Sequence, residues 1–343
     1  MQTIDLCAPA QAPKKPMRLV RRAGTMMPMS TPPPAAGSRL PWDRLPAHVQ
    51  DAIEQRLGAP VVRATNQSGG FSPGVAARVT CADGSRAFVK AVGTELNDRS
   101  PDIHRAEARI TAQLPRRAPV PRLRATYDDG VWVALIFDEI DGRMPAEPWR
   151  RDELDRVLTA VTELSRTLTP CPISGAPNAR ESIAKEFLHG YRQLLEQAPD
   201  DLDPWEQRHL PDLAELGEAA LDHVDGNTLV HFDLRADNIL LDGDRVWFVD
   251  WPWAFAGAPW IDSLMLVKNA VFHGHDPEPI VDRHPLLATV EPAVITGFVA
   301  GMAGFFALAC RRPAPPGLPT LREFQRAQHR TTLAWLRRRL DWG

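Results

Sequence analysis

The chain has 343 residues, 44% apolar and 24% charged, a length that favours two lobes or domains over a single core. Its formal net charge of −3 excludes a global attraction to nucleic acid or to an anionic membrane. Cys7, Cys81, Cys171 and Cys310 lie far apart, which excludes a Cys-x-x-Cys zinc pattern and a disulfide framework and fits a reducing, cytoplasmic compartment.

Residues 1–40 form a basic, Pro-rich arm, with Pro32-Pro33-Pro34 at its end and Lys14, Lys15, Arg18, Arg21 and Arg22 along it. That composition predicts a disordered tail, and no apolar run follows Arg21-Arg22 to make a signal segment. A short amphipathic helix is expected over 41–58, stopped by Gly58. Runs of β-formers at 61–65, 76–81 and 86–92 follow, the last two joined by Asp83-Gly84 as an antiparallel hairpin. Residues 102–114 read as a helix ended by Pro115, and 123–127 with 131–137 as a strand pair turning at Asp129-Gly130. Beyond residue 149 the pattern is helical at 151–168, 179–197 and 204–223. Short strands are expected at 228–231, 239–241 and 246–249, then helices from 261 onward with Pro-rich joints near 279 and 313–319. The sum is an α+β protein of two lobes, a small antiparallel-sheet lobe over 41–141 and a larger, mainly helical lobe over 142–343. Residues 293–310 are apolar apart from Thr296 and reach the lower length limit of a membrane span. Three glycines weaken that hydrophobicity, so a buried core helix is expected and no membrane contact.

The chemistry is concentrated in LVHFDLRADNILL (229–241) and VWFVDW (246–251). Asp233 and Asn238 lie five residues apart in a loop between apolar strands, and Asp250 closes a later strand. Phosphoryl transfer needs such a set: one carboxylate to take the acceptor's proton, and an amide and a second carboxylate as hard oxygen ligands for Mg²⁺.

At these residues the chain resembles the aminoglycoside phosphotransferase and choline kinase-like family, relatives of the protein kinases. The spacing His231-x-Asp233-Leu234-x-x-x-Asn238 is similar to the kinase catalytic loop, and Val249-Asp250-Trp251 to the family's metal-binding segment. The resemblance implies a bilobal protein kinase-like fold, Asp233 as catalytic base, Asn238 and Asp250 as Mg²⁺ ligands, and His231 as structural support. It departs from the family at Phe232, where a small residue is usual, and at Arg235, where His is frequent. It further implies that Lys90, at the end of AFVKAV, binds the nucleotide phosphates, and that its partner is Glu107 in preference to Glu95. Ser68, Gly69 and Gly70 would cover the phosphates. Backbone groups along Phe137, Asp138, Glu139 and Ile140 would meet the base, and Asp262 would brace the catalytic loop.

The co-substrate is therefore ATP or GTP and the partner a small hydroxyl-bearing acceptor. Acids outnumber bases between 146 and 228, among them Glu181, Glu186, Glu196, Asp200, Asp201 and Asp203. They would make either a cleft for a polycation such as an aminoglycoside or an ordinary solvated face. The arginines from Arg311 to Arg339 oppose the first reading. Trp251, Trp253, Phe255 and Trp260 could stack on a ligand or fill the core. Two alternatives share the fold. A nucleotide-binding pseudokinase would be marked by loss of Lys90, Asp233, Asn238 or Asp250. A protein kinase is disfavoured because Asp-Phe-Gly and Ala-Pro-Glu are both missing.

Overall fold

The structure, a computed structural model, describes residues 37–342 except 68 and 184–186. The Pro-rich arm through residue 36, Ser68 and Glu186 lie outside the described residues. Five strands, β1 (Val61–Asn66), β2 (Val75–Cys81), β3 (Arg86–Gly93), β4 (Leu123–Asp128) and β5 (Trp132–Phe137), make one sheet in the order β1-β2-β3-β5-β4. All of its pairings are antiparallel. Helix α1 (Ala47–Leu57) packs Val49 and Ile53 against Trp132, Ala134 and Ile136. Helix α2 (Ser100–Thr111) sits on the other face, with Ala108 beside Val133, Leu135 and Phe137. Coverage on both faces explains why β5 reads as an unbroken apolar run, where a half-exposed strand would alternate. The helix expected over 41–58 begins only at Ala47, after a 3₁₀ turn at Trp42–Arg44, because Pro46 occupies the N-cap. It ends at Gly58 with a left-handed φ of 86°, as its sequence predicts.

The second lobe contains α3 (Arg151–Thr167), α4 (Ala179–Ile183), α5 (Gly190–Glu196), α6 (Pro204–Ala219), α7 (Ile261–Phe272), α8 (Glu278–Arg283), α9 (Pro292–Ala309) and α10 (Leu321–Arg339). The single helix expected over 179–197 is two elements. Helix α5 seats on α9, with Gly190 so close that a Cβ there would come within 2.2 Å of the Gly304 carbonyl carbon. Helix α9 is long and apolar enough to cross a membrane by length and composition, yet 78% of it is buried inside the fold, against α5, α6 and α10. The buried core helix expected from its sequence is what the fold contains.

Between the helices lie β6 (Thr228–Val230), the hairpin β7 (Ile239–Asp242) and β8 (Arg245–Phe248), and β9 (Phe255–Gly257), which pairs with β6. Strand β9 has no counterpart in the sequence reading, since three residues are too few for a periodic signal. The acidic stretch does not face a cleft as a block. Asp201 pairs with Arg311 at 2.8 Å and Asp203 with Arg337, so these acids and the C-terminal arginines neutralise one another. Trp251, Phe255 and Trp260 are buried core residues, whereas Trp253 is exposed.

Candidate active site

A cleft of about 400 Å³ opens between the lobes, lined by the sheet, residues 137–144 and the catalytic loop. Its first component is an ion triad. Lys90 on β3 donates to both oxygens of Glu107 on α2 at 2.8 Å and to Asp250 Oδ1 at 2.7 Å, joining residues 160 apart. Glu95, the competing partner, is exposed in the loop after β3. Two carboxylates sharing one ammonium cannot both be equally ionised. Burial and the charge of Asp250 push Glu107 up to about 7. Although burial opposes it, Lys90 holds Asp250 down at about 2.

The second component is the catalytic loop after β6. Asn238 Nδ2 donates to the Asp233 carbonyl at 2.8 Å and to Asp233 Oδ2 at 3.2 Å, and its side-chain oxygen Oδ1 has no hydrogen-bond donor among the described residues. The Val249 N–H donates to the Asn238 carbonyl at 3.0 Å, so the strand end carrying Asp250 is registered on this loop. Burial raises the Asp233 pKa, and the nearby Arg235 opposes that shift. The Asp233 N–H donates to His231 Nδ1 at 3.2 Å, which leaves the proton on Nε2 to reach the Val249 carbonyl at 2.9 Å. Burial lowers the His231 pKa and favours this neutral, supporting form. Asp262 at the start of α7 accepts the His231 N–H at 2.9 Å and the Phe232 N–H at 2.8 Å.

These contacts hold strain. Phe232 and Asp250 are the non-glycine residues with left-handed φ among the described residues, at 69° and 70°, a conformation costing about 1–3 kcal/mol each. The small residue usual at position 232 suits that φ. Here a phenylalanine is held there by Asp262 and by ring contacts at 4.9 Å to Phe187 and to Phe255.

Phe137, Asp138, Glu139 and Ile140 line the cleft. The Asp138 N–H is committed to the Arg122 carbonyl at 2.8 Å, so of its backbone groups only the carbonyl could meet a base. Glu139 is held by Arg86 at 2.7 and 2.8 Å. Gly69 and Gly70 lie at the cleft mouth. The loop tip Phe71 packs on Phe324 of α10 at 5.0 Å, with the Arg235 guanidinium 5.7 Å from both rings.

The sequence reading passed over three residues. Arg39, assigned to the tail, lines the cleft. Asp237 binds Arg235 through two contacts of 2.9 Å. Lys268 on α7 is buried with its ammonium 5.2 Å over the Phe306 ring. A lysine within the mostly apolar run 264–272 is the signal that could have marked Lys268. Nothing in the local sequence marks Arg39.

The sequence model of the phosphotransferase enzyme family matches residues 64–285, more than half of the chain. An aminoglycoside 3'-phosphotransferase of Streptomyces ribosidificus is 33% identical over 132 residues. That match covers 36% of this chain, and the chain spans about half (47%) of that relative's length. Among solved structures, a thermostable mutant of aminoglycoside phosphotransferase APH(4)-Ia in complex with ADP and hygromycin B superposes with a TM-score of 0.58 at 16% identity, covering 85% of this chain and 99% of that one. A choline/ethanolamine kinase family protein of Mesorhizobium loti gives 0.55 at 16% identity, covering 85% and 95%. The fold is kinase-like, small-lobe sheet and helical large lobe together. The chain belongs to the phosphotransferase enzyme family.

Proposed function

We propose that this protein transfers the γ-phosphoryl group of ATP or GTP to a hydroxyl of a small metabolite or antibiotic. The observation that carries the reading is the Lys90–Glu107–Asp250 triad, which ties both lobes together in a cleft also lined by Asn238, whose amide hydrogen bonds to Asp233. Asp233, partly exposed at 26%, accepts the acceptor's proton as the acceptor oxygen bonds to phosphorus and the bond to the departing diphosphate breaks. Lys90 offers its charge to the phosphates as a point donor. The backbone of residues 139 and 140 faces the base.

The Asn238 side-chain oxygen Oδ1 and the Asp250 carboxylate are hard donors of the kind Mg²⁺ takes. Among the described residues no cluster of three or more His, Cys, Asp or Glu could hold a metal alone. Mg²⁺ in such sites takes one or two protein oxygens and completes its shell with phosphate and water. When bound, Mg²⁺ neutralises phosphate charge. An aminoglycoside is the first acceptor to try, given the Streptomyces relative.

The test is acceptor-dependent ADP or GDP release with Mg²⁺ across aminoglycosides, macrolides, choline and simple sugars. Asp233→Asn is expected to lower kcat by about 10²–10⁴-fold with nucleotide affinity retained. Turnover near wild type in that variant would remove Asp233 from its role.

A further inference from the structure

Four cations line the cleft, and three have carboxylate partners. Lys90 pairs with Glu107 and Asp250, Arg78 with Glu139 at 3.6 Å, and Arg143 with Glu153 at 2.5 Å. The fourth, Arg39, forms no ion pair among the described residues. It comes from the short segment before α1, outside the stretch matched to the family. That segment is fixed across the glycine loop. The Gly37 N–H donates to the Gly70 carbonyl at 3.1 Å, Ser38 to Gly317 at 3.0 Å and Leu40 to Gly74 at 3.3 Å. The Arg39 guanidinium donates to the Ser72 carbonyl at 3.1 Å and to the Gly69 carbonyl, while its buried Nε–H has no partner among the described residues.

A charge placed this way is costly unless an anion completes it. The neighbouring carboxylates Asp250 and Asp237 act on it only at a distance, against the burial that lowers its pKa. We propose that Arg39 is a ligand of the nucleotide's phosphate chain, reaching over the glycine loop from the N-terminal segment to supply a second phosphate-binding cation beside Lys90. The proposal rests on the nucleotide reading above. The carbonyl contacts to Gly69 and Ser72 fix the guanidinium, and its unpartnered Nε–H is left for a phosphate oxygen, which a planar guanidinium meets more specifically than a flexible lysine would.

The test is calorimetric binding of AMP-PNP and of adenosine, with Mg²⁺, to the full chain and to Arg39→Ala and Arg39→Lys, with thermal melts to verify folding. Arg39→Ala is expected to weaken AMP-PNP binding by about ten- to a hundredfold and leave adenosine unchanged, and Arg39→Lys to restore part of the loss. Unchanged AMP-PNP affinity in a folded Arg39→Ala variant would overturn the proposal and leave the nucleotide reading standing. So would an equal loss for adenosine, the mark of a residue that merely shapes the loop. If the wild-type chain binds no AMP-PNP, both readings fall together.

Discussion

Asp262 offers the sharpest test of how the catalytic loop is held. Its carboxylate is 6% exposed and accepts the backbone N–H groups of His231 and Phe232 at 2.9 and 2.8 Å. Asp262→Ala leaves both donors without a partner. At about 1.5–3 kcal/mol for each hydrogen bond to a charged group, the loss of the two is about 3–6 kcal/mol. Asp262→Asn keeps one acceptor oxygen and loses about half of that. The same contacts hold Phe232 at φ 69°, against a strain of about 1–3 kcal/mol. Without them the residue relaxes toward negative φ and displaces Asp233, the next in the chain. A shift of about 1 Å at a catalytic group costs about a hundredfold in rate. Urea unfolding and steady-state kinetics on both variants check this. The expected pattern is a graded loss of stability, kcat down by about a hundredfold in Asp262→Ala, and nucleotide KM little changed because Lys90 and Glu107 are untouched. An Asp262→Ala protein with the wild-type urea midpoint and kcat would refute the reasoning.

Four further outcomes follow from the same geometry. Lys268 is buried, with no hydrogen-bonded partner among the described residues, and its pKa is drawn from 10.5 down to about 8 by burial and by Arg235. Its folded value lies below the unfolded one. Its cost is therefore complete below pH about 8 and is relieved as pH rises toward 10.5. Lys268→Met should accordingly raise stability at neutral pH by about 1–3 kcal/mol in denaturant titrations. The base proposed, Asp233, works only when ionised, so kcat should fall as pH drops through its raised pKa. Lys268 opposes that rise, so in Lys268→Met the acidic limb of the pH–rate profile should move to higher pH. Phe232→Gly relieves the left-handed strain but loses the contacts to Phe187 and Phe255. A net loss of about 1–2 kcal/mol is expected by thermal or urea unfolding. Gly190→Ala should destabilise by about 1–3 kcal/mol or more in the same assay, because the new methyl meets backbone of α9.

The sequence alone determined the two-lobe α+β organisation, the strands of the small lobe, and the candidate residues Lys90, Asp233, Asn238 and Asp250. These are properties of local periodicity, turn chemistry and fixed spacing, which a linear reading carries. The tertiary structure decided what depends on long-range approach. It chose Glu107 over Glu95, because α2 packs against the sheet and the loop after β3 points to solvent. It broke the helix over 179–197, because α5 must meet α9 at two glycines. It tied the acidic stretch to the C-terminal arginines by ion pairs, although each run by itself reads as a separate charged face. It made Arg39 part of the cleft, because Leu40, Gly37 and Ser38 hydrogen bond to carbonyls some 30 and 280 residues away, partners that no local pattern in the first 40 residues encodes.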